Sequence, residues 1–270
     1  MQATDSPARL GNQARWKVAL MKAAATATPL RSPKVRLLAH RTVRQRQRRR
    51  RRLAEHRGDW SRSTPALHGM DVRLARLLGP GGTFLEAGAN DGFTQSNTYL
   101  LERHHGWRGI LVEPIPTLAA EARTSRPGSS VAECALGSPE SAGGTATMHY
   151  AGLMSIVEGA RGDEDADREF IDAAFARGAA DSFTVDVPLR TLADVLDEHR
   201  VEQLDLLSLD LEGFEPEALK GLGDHRPTRI LAEAHDEEAL AAITSVLSDD
   251  YGDPSPFSEM DYLFELREGA

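Results

Sequence analysis

Phe84-Leu-Glu-Ala-Gly-Ala-Asn-Asp-Gly92 reads as a buried strand that runs straight into a glycine loop, and the rest of the chain is organised around it. Glycine lets a backbone turn sharply and approach a bound ligand closely. A dinucleotide fingerprint would need G-x-G-x-x-G, with a middle glycine making room for a pyrophosphate. Here position 90 is Asn, the glycines Gly88 and Gly92 stand four apart, and an acid, Glu86, precedes the first by two residues. An acid at that place suits an ammonium group, met directly or through water, better than a pyrophosphate. The whole loop, Glu86, Gly88, Asn90, Asp91 and Gly92, is therefore a candidate binding segment. Taken alone, it is also compatible with an ordinary strand-to-helix turn.

Outward from this loop, strand-like and helix-like segments alternate. Helices are expected over 72–78, 96–104, 117–124, 191–199 (capped by Thr191), 216–222 and 237–247. Strands are expected over 83–88, 109–113, 130–136, 183–189, 204–210, 229–234 and 261–267, with 145–150 pairing locally. Near-continuous apolar strands between helices predict an α/β fold, a mostly parallel sheet covered on both faces. Such sheets bind ligands at the carboxyl ends of their strands. Those ends are 86–92, Glu113, 135–137, 210–213 and 233–235, and four of the five carry acids.

Each tip suggests a task. Glu113 ends the second strand, where an acid accepts hydrogen bonds from ribose hydroxyls in nucleoside-binding sheets. Ala135 and Leu136 offer small apolar surface for an adenine ring. Asp210 and Glu212 follow a strongly apolar strand, and either Glu212 or Glu215 also fits a helix-capping role. Glu233 and His235 add a carboxylate beside an imidazole, a pair suited to proton transfer near neutral pH. Asp210, Glu233 and His235 are the candidate general bases, with Asp210 first. No dedicated metal-ligand set is assigned. A magnesium ion held by Asp210 and a second carboxylate is the alternative, since oxygen-only ligands favour that metal over zinc.

Charge divides the chain in two. Residues 1–62 carry 17 Lys and Arg against 3 acids, a net of +14, leaving −23 for the rest. The arm, 1–61, contains Arg48-Arg-Arg-Arg-Arg52, and adjacent like charges predict a disordered or partly helical segment. A solvated tail, contact with an anionic lipid surface and contact with nucleic acid all fit it. The folded domain is expected over 62–270, with a mobile, acid- and glycine-rich insert at 151–181 covering the pocket. His149, Tyr150 and Ser155 stand at its entrance. The single cysteine, Cys134, excludes an internal disulfide or a multi-cysteine zinc site. No apolar run of membrane-spanning length and no secretory leader is evident, so a cytoplasmic location is expected, with peripheral membrane contact through the arm as an option.

Taken together, the stretches 84–92, Ser96-Asn-Thr-Tyr-Leu-Leu-Glu102, Gly106-Trp-Arg-Gly-Ile-Leu-Val-Glu-Pro114, Cys134-Ala-Leu-Gly137, Thr191-Leu and Leu207-Ser-Leu-Asp-Leu-Glu-Gly-Phe-Glu215 resemble the FkbM-type methyltransferases over roughly residues 70–267. The resemblance implies a Rossmann-like class I methyltransferase fold with a seven-stranded sheet. It also implies S-adenosylmethionine as methyl donor and O-methylation of a sugar, glycan or natural-product hydroxyl. By motif, Gly88, Asn90, Gly92 and Glu113 would hold the donor, with Asp210 and Glu212 facing the reacting centre. The arm lies outside the resemblance. Two other enzymes remain in view, a nucleic-acid methyltransferase using the arm and a nicotinamide-dependent oxidoreductase. A binding module that lost turnover is the non-enzymatic reading.

Overall fold

Short runs such as Thr83-Phe-Leu-Glu-Ala87 form strands because their apolar side chains find cover on both faces of one sheet. In a computed structural model of the chain, the structure describes residues 33–151, 154–160, 164–176 and 183–269. The arm's Trp16, Val18, Leu20 and Met21, and parts of the expected insert, lie outside those residues.

The main sheet is built from β1 (Thr83–Ala87), β2 (Arg108–Val112), β3 (Ser130–Ala132), β8 (Leu206–Leu209), β9 (Arg229–Glu233), β10 (Ser255–Pro256) and β11 (Asp261–Glu265). Their order is β10-β11-β9-β8-β1-β2-β3. The β3-β2-β1-β8-β9 block is parallel, and β11 and β10 close the edge in antiparallel pairs. This is the expected seven-stranded, mostly parallel sheet.

Alternation along the strands sorts the core into two layers. Leu85, Ile110, Leu207, Ile230 and Phe264 pack beneath α6 (Leu192–Glu198), α7 (Glu215–Lys220) and α8 (Glu237–Leu247). Phe84, Leu206, Leu231 and Leu263 pack on the other face with α2 (Met70–Leu78) and α3 (Tyr99–His105). The α6 start is the expected one: Thr191 accepts from the Asp194 amide, while Asp194 accepts from the Thr191 amide.

Two expectations are corrected. The segment 130–136 is not one strand. After Ala132 the chain leaves β2, and β4 (Ala135–Leu136) pairs instead with β7 (Phe183–Arg190). β7 in turn belongs to a second, four-stranded sheet, order β4-β7-β5-β6, with β5 (Thr145–Tyr150) and β6 (Ile156–Val157). Its apolar side meets Ile115 and Leu118 of the segment entering α4 (Pro116–Ser125). The expected insert thus contains β6 and α5 (Glu164–Ala176).

The arm contributes α1, Pro33–His56. Arg44, Arg48, Arg51 and Glu55 recur at helical spacing and face the body. Arg44 and Arg48 lie 3.2 and 3.8 Å from the Glu121 carboxylate. Arg51 is 5% exposed; its Nε donates to the Tyr99 hydroxyl over 2.9 Å, and its guanidinium sits 3.3 Å from the Phe93 ring centre. Glu55 accepts from Ser63, Tyr99 and Arg103. No helix among the described residues is long and apolar enough to cross a membrane.

Candidate active site

Strand register aligns the site. Ala87 is level with Val112 and Leu209, and Leu209 with Ala232. The next residue on each strand therefore falls in one row along the sheet's carboxyl edge: Glu113, Gly88, Asp210, Glu233. Across the antiparallel edge, Asp261 pairs with Glu233 and extends the row. Gly88 is the gap in this line of carboxylates. A Cβ built on it would stand 2.0 Å from the Asp210 carbonyl oxygen, and its φ of +82° is one that side chains rarely adopt. Only glycine lets β1 run this close to the Asp210 backbone at the end of β8.

That cleft encloses about 970 Å³ of empty space, part of it open to solvent. Glu86, Gly88, Asn90, Glu113, Ala135, Leu136, Asp210 and Glu212 all line it. Asn97, Pro114, Ile115, Leu118, Met148 and Ser155 complete the walls, so the second sheet supplies a side of the cleft.

Glu113 is fixed by two backbone donors, the Asn90 amide at 2.7 Å and the Ile115 amide at 2.9 Å. Burial pushes its carboxyl up to about 7, those amides opposing the rise. Asn90 takes a positive φ of 50° to make this turn. Asp91 and Gly92 stand behind the loop and do not line the cleft. The Asp91 carboxylate accepts from the amides of Phe93 and Thr94 and shapes the loop. Gly92 abuts Arg126 and Ala122, where a Cβ would come within 2.9 and 3.0 Å.

Glu86 borders the cleft, but its carboxylate is held from within. It accepts from Ser96 Oγ, the Asn97 amide and Thr98 Oγ1 at 2.6–2.8 Å. Arg126, wholly buried, lies 3.5 Å from it and 2.6 Å from Glu102. These bonds explain why α3 begins at Tyr99 instead of at Ser96: residues 96–98 are spent on Glu86. The sequence reading assigns no role to Asn97 or Arg126. Asn97 belongs to the quoted 96–102 motif, and its buried Oδ1 is an acceptor without a hydrogen-bond partner at the cleft wall. Arg126 sits in no motif; only its burial reveals it.

Asp210 is exposed to solvent in the cleft although many protein atoms lie around its carboxylate. That enclosure, first, and the charges of Glu233, Glu212, Glu215 and Asp261 push its carboxyl well above the usual range. Burial likewise lifts Glu233 to about 7, against the pull of His235. Glu233 and His235 stand beside Asp210 without lining the cleft themselves. Neither Glu212 nor Glu215 caps α7, whose N-cap is Phe214; Glu215 instead closes the preceding turn by accepting from the amides of Leu211 and Gly213. Cys134 lies in the wall with its thiol pushed up to about 11 by burial, which keeps it un-ionised.

These residues fit a donor with an adenosine and an amino-acid end. Gly88 presents bare backbone to the cleft, and Glu113 offers acceptors at the β2 tip. Apolar Ile115, Leu118 and Leu136 can flank a flat ring, and the orphaned Asn97 oxygen suits an ammonium donor.

Among solved structures, the chain is similar to a TehB-like SAM-dependent methyltransferase from Corynebacterium glutamicum at 11% identity. That match covers 80% of this chain and 97% of the other, with a TM-score of 0.39. A glutamate-to-glutamine mutant of MtNAS is similar at 14% identity over 91% of this chain and 69% of the other, TM-score 0.35. Likeness at that level adds nothing to the architecture described above. No curated protein matches the chain. The methyltransferase FkbM domain, however, matches residues 86–263, a span running from Glu86 in β1 to Leu263 in β11. The chain therefore belongs to the FkbM methyltransferase family, whose chemistry is S-adenosylmethionine-dependent methylation.

Proposed function

We propose that the chain O-methylates a hydroxyl group of a sugar, glycan or natural product, with Asp210 as proton acceptor. The observation that carries this reading is the strand-tip row, which sets a carboxylate beside the Gly88 gap and inside the cleft. S-adenosylmethionine supplies a methyl group already activated by its sulfonium; as the new O–C bond forms the C–S bond breaks, and the hydroxyl proton must go to a base. Glu113 orients the ribose hydroxyls, Asn97 accepts from the ammonium, and the walls from Ile115 to Leu136 flank the adenine. Holding two reactants in line can lower a barrier by about 7–11 kcal/mol, so these positioning contacts matter as much as the base. General-base transfer adds about 10²–10⁴-fold. The second sheet and the segment around Ser155 screen the acceptor side from water.

Two measurements test this. Mass spectrometry of extracts from cells with and without the protein should find acceptors gaining one CH₂ unit. In vitro, Asp210→Asn should keep S-adenosylhomocysteine affinity while transfer falls by about 100-fold or more. Transfer at the wild-type rate would remove Asp210 as the base.

The outer face of α1 supports a partner of its own. Val43, Arg46, Arg49, Arg50, Leu53 and Arg57 are exposed, opposite the docked row. Val43 and Leu53 are 52% and 57% exposed, and apolar side chains among arginines favour an anionic phospholipid surface over nucleic acid. Co-sedimentation with phosphatidylserine vesicles, weakening with salt, is expected; equal binding to neutral vesicles would exclude it.

A further inference from the structure

Past Asp210 the row of strand tips acquires an imidazole. His235 Nε2 lies 3.4 Å from Glu212 Oε2 and 3.7 Å from Glu233 Oε2, and one ligand atom from each of the three residues lies within 4.8 Å of the others. Atoms held about 2.1 Å from one tetrahedral ion stand about 3.4 Å apart, so the two separations from His235 are close to ligand-like, and the third needs at most a small side-chain adjustment. Glu212 reaches them from a strained turn, at φ 55°, a conformation that costs a non-glycine residue about 1–2 kcal/mol.

The charge around them points the same way. Asp210 is one strand away, Asp261 lies opposite Glu233, and Glu215 belongs to the same field. Glu215 is engaged by the Leu211 and Gly213 amides, and Asp261 by the Ser258 hydroxyl. The opposite charges acting on Glu215, Glu233 and Asp261 come from His235, and for Asp261 also from His68.

We propose that Glu212, Glu233 and His235 form a divalent-metal site on the acceptor side of the cleft. Two carboxylates and one imidazole suit manganese, ferrous iron, cobalt or zinc better than magnesium, whose preferred ligands are all oxygen. Glu212 lines the cleft, so the site adjoins it. The use made of the ion rests on the methyl-transfer reading: it binds the acceptor oxygen and eases loss of its proton to Asp210. Acceptors with two adjacent oxygens, able to chelate, are the substrates this favours.

The test uses untagged full-length protein freed of metal with EDTA and dialysed. MnCl₂ binding is followed by electron paramagnetic resonance and ZnCl₂ binding by calorimetry, with S-adenosylhomocysteine titrated on the same sample. One saturable equivalent is expected, weakened by more than about 100-fold in His235→Ala and in the near-isosteric Glu233→Gln, with S-adenosylhomocysteine affinity kept in both. Absence of saturable binding of either ion, or binding undiminished in both variants, overturns the site. Product binding without metal binding removes the metal alone. Metal binding without product binding removes the methyl-transfer reading and leaves the site.

Discussion

Replacing Arg126 by Met should damage this protein more than any single exposed arginine could. The guanidinium is fully buried and serves two carboxylates, Glu102 at 2.6 Å and Glu86 at 3.5 Å. It also donates to Ser96 Oγ at 3.1 Å and to Thr98 Oγ1 at 2.9 Å. Methionine fills much of the same volume, so the main loss is electrostatic. Two carboxylates, 6% and 4% exposed, are left inside without their cation. Breaking a buried pair from one side costs about 3–5 kcal/mol. For a domain of this size each kcal/mol lowers Tm by about 2–4 °C, so a fall of about 6–20 °C is expected in calorimetry. Because the same network sets residues 96–98, S-adenosylhomocysteine affinity should fall as well. A Tm within about 2 °C of wild type would refute the reasoning and mean that the network relaxes without its centre.

Three further outcomes are expected. Glu113 has a carboxyl raised from 4.5 to about 7 in the fold; it stays protonated while the unfolded chain ionises, so its contribution to stability is full below pH 4.5 and is lost as pH rises through 7. The stability difference between wild type and Glu113→Gln should therefore shift by about 3 kcal/mol in favour of the variant between pH 4.5 and 8, read by denaturant titration, and a constant difference would contradict the burial argument. Gly88→Ala should lose donor binding in calorimetry and unfold earlier, since 2.0 Å of clearance adds a steric clash to the about 1–2 kcal/mol of left-handed strain; normal donor affinity would mean that β1 and β8 can part freely. Arg51→Ala should weaken donor binding about threefold or more while leaving the acceptor KM unchanged, because it loosens Phe93 and Tyr99 only; cation–π and hydrogen-bond losses of about 1 kcal/mol each set that scale.

Much of the sheet was legible because buried parallel strands leave continuous apolar runs, as at 204–210, and because their tips carry polar residues that a core would reject. The row of Glu113, Asp210 and Glu233 followed from those runs. That Asp91 and Gly92 shape the loop from behind was not legible, since a loop residue that faces a cleft and one that folds the loop have the same composition. The break after Ala132 was invisible because β4 is two residues long and its partner lies some fifty residues away. Asn97 and Arg126 escaped for a related reason: a buried polar network is defined by who meets whom, and local patterning does not encode that. The docking of α1 was hidden by its own charge, since a run of arginines signals repulsion until Glu121, Tyr99 and Phe93 are seen opposite it.

That docked helix ties two equilibria together. Its inner Arg51 holds Phe93 and Tyr99, which flank the loop beside the cleft, while its outer arginines are exposed. A ligand that prefers the docked helix raises donor affinity by some factor, and the donor must then raise that ligand's affinity by the same factor. On the proposed membrane contact, the methyl donor and the anionic surface would be effectors of one another, although the helix lies wholly outside the 86–263 span that matches the family.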